Sequence, residues 1–374
     1  MSSLFSPRIA IAVALLLAAG CAHDSAVMPT QAGVAPQAAS NQTQPLKETS
    51  ILKKLKKQVV IGSTISPKLK QLNPYGLTVA PSTNGAFTAG DLVVCNFNDK
   101  SNVQGTGYTI VALHPTPGSS PRSVSEDKLL LGCDALALTP GDVIFAAAFA
   151  ANDNPFLSDT GKLIANMKGV PFDHPFGQVY AQPTTGNAAI YESNAGSGTI
   201  VRVNLGSTIT FDVIAKGFAI NHGKPGSIFG PSGLAYNPTG DILYVVDGKN
   251  NTVVSFSNVS TIPTGGVIVE KSGKKFKGPN AGNAHLVFAG TPLNGPVSSA
   301  LLFNGDLVVG NTSNPSGQNV MVELSPAGKV LDTRNVDHGA AGAIFGMVAT
   351  GTSTSTTKLY FNDDNANNLQ VLQP

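Results

Sequence analysis

The stretch that decides the fold is PSGLAYNPTGDILYVVDGKNNTVV, residues 231–254. Three short apolar runs in it are separated by two turn signals, the Asn-Pro-Thr-Gly of residues 237–240 and the Asp-Gly of residues 247–248. Short apolar runs bounded by Pro, Gly, Asn and Asp are typical of β-strands joined by tight turns. The stretch therefore predicts three consecutive antiparallel strands.

The same unit recurs along the chain in two halves. Its first strand recurs at residues 74–77, 133–136, 175–177, 296–298 and 344–347. Its second strand recurs at residues 92–96, 144–148, 190–194, 307–311 and 359–363. With the first stretch this makes six units, spaced by 42 to 65 residues. Self-similarity at such a period is typical of propellers and solenoids.

The composition of the chain and of its repeat favours a propeller. Charged residues are only 12% of the chain, against 40 glycines and 25 prolines, which favours short strands and turns. Gly and Ala in the first strand permit close backbone approach at a crowded axis, and an all-apolar second strand indicates burial on both faces. Helical periodicity between the strands is missing, which argues against Rossmann and barrel folds. We predict an all-β, six-bladed β-propeller with four-stranded blades over residues 58–374.

The unit at residues 231–254 resembles the NHL repeat, whose core is a Pro-x-Gly-φ-Ala strand followed by Leu-Tyr-Val-x-Asp. This resemblance to the NHL/SMP-30-like class implies a six-bladed propeller. Its SMP-30/gluconolactonase branch would imply a lactonase with a divalent metal in the channel. That branch carries a Glu just before the first inner strand, where this chain has Asn73.

The chain ends suggest how the ring of blades closes. The last unit ends at its third strand, residues 369–372, so a fourth strand must come from elsewhere. Residues 59–62, Val-Val-Ile-Gly, have strand character and precede the first unit. We predict that this N-terminal strand completes the last blade and removes an exposed edge.

The N-terminus predicts export. Arg8 is the only positive charge before an apolar run at residues 9–19, which is too short for the about 20 residues that span a bilayer. Such a run suits a signal peptide, and its Leu-Ala-Ala-Gly-Cys end resembles a bacterial lipobox. We predict a lipoprotein signal peptide over residues 1–20 and a diacylglycerol on Cys21. Ordinary secretory cleavage nearby is the alternative.

The segment after the lipobox predicts a tether. Residues 21–57 begin rich in Ala, Gln, Pro, Ser and Thr and cannot bury enough apolar surface to order themselves. A basic cluster follows, either on a short solvated helix or against anionic headgroups: Lys53, Lys54, Lys56, Lys57, Lys68 and Lys70. Ala22, where Asp would retain the chain in the inner membrane, favours the outer membrane, facing the periplasm or the outside.

The two other cysteines predict a disulfide. Cys95 ends the second strand of the first unit, and Cys133 begins the inner strand of the second unit. In a propeller these points share a rim on neighbouring blades. A disulfide can persist in an exported protein. Two buried thiols are the alternative.

Polar residues recur at one point of the unit. Five of the six units place Asn or Asp directly after the second strand, where Ala148 breaks the series: Asn96, Asn194, Asp247, Asn311 and Asp363. We expect them to ring one mouth of the channel, where their oxygens could contact a ligand or Ca²⁺. The alternative is turn chemistry, since Asn and Asp bond nearby backbone. We expect no tight metal, because only two of the five are acids; Ca²⁺ or Zn²⁺ is the alternative.

Other side chains near this mouth are also candidates. We expect Tyr75, Phe176 and Phe345 to be exposed aromatic anchors there. Asp134 and Glu192 are the other acids near inner strands. The pairs Asp173-His174 and Asp337-His338 precede inner strands, where an acid-oriented His could bind metal or act as a base, although such pairs also arise by chance.

Three functions fit the sequence. The leading hypothesis is a lipid-anchored binding or scaffold module of the cell envelope, with a protein or small-molecule ligand at the channel mouth and no cofactor. The first alternative is a metal-dependent propeller enzyme of lactonase or lyase type. The second is a structural envelope protein without a small ligand. The net charge of +2 gives no indication of nucleic-acid binding.

Overall fold

The structure is a computed structural model that describes residues 49–374. Its 26 strands form six sheets in which every strand pair but one is antiparallel, and the inner strands of successive sheets contact one another around a closed ring. This confirms the six-bladed β-propeller with four-stranded blades. No helix in this part of the chain is long and apolar enough to cross a membrane.

The strands follow the units found in the sequence. The first strand in the chain, β1 (Lys57–Ser63), lies in blade VI. Blade I contains β2 (Leu72–Val79), β3 (Leu92–Asn98), β4 (Thr109–Leu113) and β5 (Arg122–Ser125). Blade II contains β6 (Cys133–Leu138), β7 (Ile144–Ala148), β8 (Asp153–Leu157) and β9 (Leu163–Lys168). Blade III contains β10 (Pro175–Ala181), β11 (Ala189–Asn194), β12 (Thr199–Leu205) and β13 (Ile209–Lys216).

The second half of the ring differs by one insertion. Blade IV contains β14 (Pro231–Asn237), β15 (Ile242–Asp247), β16 (Thr252–Phe256) and, after the insertion, β19 (Ala284–Ala289). The insertion is a hairpin of β17 (Val267–Val269) and β18 (Phe276–Lys277), added to the outer edge of blade III. Blade V contains β20 (Pro296–Leu301), β21 (Leu307–Asn311), β22 (Asn319–Leu324) and β23 (Val330–Asp337). Blade VI contains β24 (Met347–Thr350), β25 (Lys358–Asp363), β26 (Asn368–Gln373) and β1. Four short 3-10 helices are Leu52–Lys54, Lys128–Leu130, Val259–Thr261 and Ala281–Asn283.

The predicted closure is present in blade VI. Strand β1 pairs antiparallel with β26, with Val59 opposite Val371. The second strands are buried along their whole length, as in β3, or in all but their first residue, as in β15 and β25, because the neighbouring blades cover both faces. At the axis, a Cβ on Gly177 would collide with the Ser232 carbonyl of the next blade, so the inner strands need glycine for this close approach.

The ordered body begins before the predicted boundary at residue 58. Ser50 to Leu55 pack against blades V and VI, with Ile51, Leu52 and Leu55 buried. The Glu323 carboxylate accepts hydrogen bonds from the backbone N–H groups of Ile51 (2.8 Å) and Leu52 (3.0 Å). The short helix is therefore present, but its apolar side is docked and not solvated. The predicted signal peptide of residues 1–20, the predicted lipid on Cys21 and most of the predicted tether lie outside the described residues.

The structure pairs Cys95 with Cys133 in a disulfide, with the Cα atoms 5.9 Å apart. That separation lies within the range that a disulfide spans. The bridge joins the second strand of blade I to the inner strand of blade II. It therefore fixes the position of the two residues that follow the cysteines, Asn96 and Asp134.

Candidate ligand site

The predicted polar ring lies at one end of the propeller, but its side chains point into the blades. All five members are buried: Asn96, Asn194, Asp247, Asn311 and Asp363. Asn311 is typical: its Oδ1 accepts from the Asn294 N–H at 3.0 Å, and its Nδ2 donates to the Pro292 carbonyl at 2.8 Å. The ring therefore closes turns. It does not present oxygens to the channel, which corrects the expected ligand contacts.

The residue after each ring member points the other way, because successive side chains of a strand face opposite sides. Three of these next residues, Phe97, Thr312 and Asp364, line a cavity of about 260 Å³ at the mouth, and so does Phe149, which follows Ala148 at the same position of blade II. In blades III and IV the same position holds Ala195 and Gly248. We call this space the vestibule. The sequence analysis therefore identified the end of the channel where the vestibule lies. These four residues each follow the predicted position by one, as the alternation of side chains along a strand requires.

A second tier of the vestibule comes from the second residue of the segment that opens each repeat, at or just before the inner strand. This tier contains Tyr75, Asp134, Phe176, Val297 and Phe345. Four of the five are large apolar or aromatic side chains, and only Asp134 is charged. Charge at this position is therefore a feature of blade II alone.

The aromatic side chains are packed together in the walls. The Tyr75 ring is stacked between Phe97 at 4.1 Å and Phe345 at 3.8 Å between centroids. Phe149 meets Phe176 edge to face at 6.4 Å. Tyr75 is 2% exposed and Phe176 is 7% exposed, and Phe345 is half-buried. The prediction of exposed anchors is wrong, because these rings turn inward and form the cavity wall.

Asp134 is the electrostatic centre of the vestibule. Its side chain is 5% exposed, and its Oδ2 atom has no hydrogen-bond partner. Burial alone raises the pKa of this carboxyl well above its usual range. A buried carboxyl without a partner is costly to the fold, so its position facing a cavity needs a reason beyond folding.

A second acid faces the same cavity from blade VI. Burial and the neighbouring Asp363 raise the pKa of Asp364 to about 7. The amide of Asn73, in the orientation that satisfies its neighbours, donates to the Asp364 carboxylate and accepts from Asn98 Nδ2 at 2.7 Å. Burial first, and then the negative charges of Asp134 and Asp364, raise the pKa of Tyr75. Both carboxylates therefore act on one phenol.

A loop covers the vestibule from blade III. The loop of residues 221–229 is held by Asn221, whose Oδ1 accepts from the N–H groups of Gly223 (2.9 Å) and Phe229 (2.8 Å). Its tip reaches the Gln104 side chain of blade I, and a Cβ on Gly226 would meet it. Gly226 to Phe229 and Gln104 line the vestibule. This cover excludes bulk water from part of the cavity.

Below the vestibule the channel narrows to a cavity of about 60 Å³. Asp134, Gln178 and Ser299 line it, and Gln178 Oε1 and Ser299 Oγ are also without partners. Gln178 Nε2 donates to Glu192 at 2.8 Å, and Asn154 Nδ2 donates to the same carboxyl at 3.3 Å. Burial raises the pKa of Glu192 to about 8 against these hydrogen bonds. Glu192 thus belongs to an interblade network and does not line the cavity.

The Asp-His pairs are parts of turns. His174 Nδ1 lies 2.8 Å from Asp173 Oδ1, and His174 has a left-handed backbone before Pro175. Asp337 accepts from Asn319, Asn365 and the Gly339 N–H group. No three His, Cys, Asp or Glu side chains come together to hold a metal within residues 49–374. Of the five ring residues only Asn96 has an unpaired side-chain oxygen, and the others accept hydrogen bonds from nearby donors, so the ring does not offer the several free oxygens that Ca²⁺ or Zn²⁺ needs.

Comparisons with known proteins agree on the fold. A gluconolactonase from Xanthomonas campestris is 11% identical with a TM-score of 0.54, over 81% of this chain and 86% of that one. Inactive virginiamycin B lyase from Staphylococcus aureus, with quinupristin, is 14% identical with a TM-score of 0.50, over 85% and 98%. A chain of the nidogen/laminin complex is 14% identical with a TM-score of 0.52, over 76% and 87%.

The fold is that of the NHL/SMP-30-like propellers. No protein-family model matches the sequence, and no curated protein matches it. The similar structures include two named as enzymes and one named as part of a protein complex. At such low identity they show the fold alone, so the function has to be argued from the vestibule.

Proposed function

We propose that this propeller binds a small, partly apolar molecule in the vestibule. The observation that carries the proposal is Asp134, a buried carboxyl with an unpaired oxygen in a wall that contains six aromatic rings. A concave, mostly apolar cavity with a few convergent polar groups is the usual form of a small-molecule site. Its volume of about 260 Å³ limits the buried part of the ligand to a fragment of about the size of a substituted ring.

An enzyme is the second candidate function, and the same carboxyl favours it. A buried acid with a raised pKa beside a cavity is suited to donate a proton to a bound molecule. Asp364, with a pKa near 7, would be the partner acid. The gluconolactonase and the lyase share this fold, but a shared fold does not indicate which reaction this chain would catalyse.

Binding of simple aromatic probes tests the site directly. Phenol, toluene and indole should give saturation-transfer NMR signals with the propeller, since each fits the cavity. Phe345→Ala should weaken these signals because it opens the stack around Tyr75. Phe303→Ala removes an exposed ring outside the vestibule and should leave them unchanged. If no probe binds, or if both variants behave alike, the proposed site is wrong.

The proposed location is the cell envelope, through a lipid on Cys21. The motif at residues 17–21 supports it, and the docking of Ser50 to Leu55 would leave a tether of about 30 residues between lipid and body. Such a tether would hold the vestibule within reach of the membrane surface but free to rotate. Cys21→Ser should release the protein from membranes or block its processing. Unchanged membrane association and mobility would refute the anchor.

A further inference from the structure

The vestibule has acids but no base. Among the described residues that line it, Asp134 and Asp364 are the only ionisable carboxyls, and none is Lys, Arg or His. Other buried aspartates of the described chain have at least one donor: Asp91 binds Arg122 at 2.6 Å, and Asp247 accepts from the Lys249 N–H at 2.9 Å. Asp142 accepts from the Ser82 hydroxyl, although its Oδ1 is unpaired, and it does not line the vestibule. Asp134 Oδ2 has no donor.

The aromatic walls of the vestibule also favour a positively charged ligand. The faces of aromatic rings carry partial negative charge and attract cations that lie within about 6 Å of the ring centre. Tyr75, Phe97, Phe149, Phe176, Phe229 and Phe345 all border the vestibule. An organic cation therefore meets both the rings and the carboxylates, whereas an anion meets neither favourably.

We infer that the vestibule recognises an organic cation, an amine or quaternary ammonium group carried on a small apolar body, with Asp134 as its counter-ion. This inference rests on the proposed function and specifies its ligand class. Asp364 also lines the vestibule and adds a second negative charge near Tyr75. The covering loop of residues 221–229 shields the pair from water, which strengthens the ionic contact.

Proton release accompanies binding of such a ligand. Burial raises the pKa of Asp134 and so favours its protonated form in the empty vestibule, and the titratable groups that share the vestibule with it are Tyr75 and Asp364. A fixed cation favours the ionised carboxylate, so binding expels the proton to solvent. A neutral ligand of the same shape releases none.

Titration calorimetry with benzyltrimethylammonium and benzyl alcohol tests the inference. At pH 8 we expect the cation to bind at least tenfold more tightly than the alcohol. Its apparent enthalpy should differ between phosphate and Tris buffers, since the released proton is taken up by the buffer. Asp134→Asn should weaken cation binding at least tenfold and abolish the buffer difference, while leaving the alcohol affinity unchanged.

Two further variants make the test independent of folding effects. Asp142→Asn replaces another buried aspartate of blade II, which accepts a hydrogen bond from Ser82 of blade I and does not line the vestibule, and it should leave both affinities unchanged. Asp364→Asn should reduce the cation affinity by a smaller factor than Asp134→Asn. Equal affinity for alcohol and cation, or full cation binding in Asp134→Asn, would overturn the inference but keep the proposed site. Absence of binding by either compound would overturn both.

Discussion

Two sets of polar side chains lie at the same mouth of the propeller in opposite surroundings. The ring residues, such as Asn311, are buried and hydrogen-bonded to the turns that they close. Asp134 is almost as buried, but its Oδ2 is unpaired and its carboxyl faces a cavity. The difference shows that burial and residue type do not separate structural from functional groups. What distinguishes Asp134 is that its unpaired oxygen belongs to an ionisable group that faces a cavity.

The disulfide connects the two sets, and its removal should have the largest effect. A Cys95→Ala/Cys133→Ala variant frees a loop of 38 positions. The chain-entropy estimate for such a loop is about 4 kcal/mol of unfolding free energy. Urea unfolding of the oxidised protein and the variant measures the loss. A loss below about 1 kcal/mol would show that the bridge does not hold blade I to blade II.

Loss of a ring side chain should destabilise the fold without affecting the site. Asn311→Ala leaves the Asn294 N–H and the Pro292 carbonyl unpaired, which should cost about 3 kcal/mol of unfolding free energy. Exposed Asn187 is the matched control, and Asn187→Ala should change stability by less than about 0.5 kcal/mol. Similar values for the two variants would remove the structural role assigned to the ring.

The pH dependence of stability should reveal the buried acids. The pKa of Glu192 is about 8 in the fold, above the about 4.3 of an unfolded glutamate. Between these values the folded state binds more protons, so the unfolding free energy falls as pH rises. We expect less stability at pH 8 than at pH 5, and Glu192→Gln should reduce the slope by about 1.4 kcal/mol per pH unit. An unchanged slope in the variant would contradict the burial argument.

Replacement of Asp134 should raise the unfolding free energy, whereas replacement of a ring residue should lower it. Asp134→Asn keeps the shape and removes an ionisable group whose burial destabilises the fold near neutral pH. The variant should therefore gain about 1 kcal/mol of unfolding free energy at pH 7. Replacement of a functional residue often stabilises a fold in this way, because functional sites are not optimised for stability. Urea unfolding at pH 7 measures the gain. A clear loss of stability would make Asp134 a structural residue.

The sequence contained the fold because each blade is a local unit. Turn signals, the Pro-x-Gly start and the apolar second strand lie within one repeat, so six copies could be counted. The strand at residues 59–62 was predicted to close blade VI because the last repeat was one strand short. Local patterns of this kind need no knowledge of distant contacts.

The site was harder to predict because it depends on side-chain direction and on distant partners. The ring residues and the vestibule residues are neighbours in sequence, and only the alternation of the strand separates Asn96 from Phe97. The cover formed by residues 221–229 has no counterpart in the other repeats. The docking of Ile51 depends on Glu323, which lies 272 positions away. No local pattern contains such a pair.

The central claim is that an unpaired carboxyl, and not the ring, marks the ligand site. The most direct test measures the affinity for benzyltrimethylammonium and the unfolding free energy of Asp134→Asn and Asn311→Ala together. We predict that Asp134→Asn loses at least tenfold in affinity and no stability, while Asn311→Ala keeps its affinity and loses about 3 kcal/mol. Retained affinity in Asp134→Asn, with lost affinity in folded Asn311→Ala, would contradict the account.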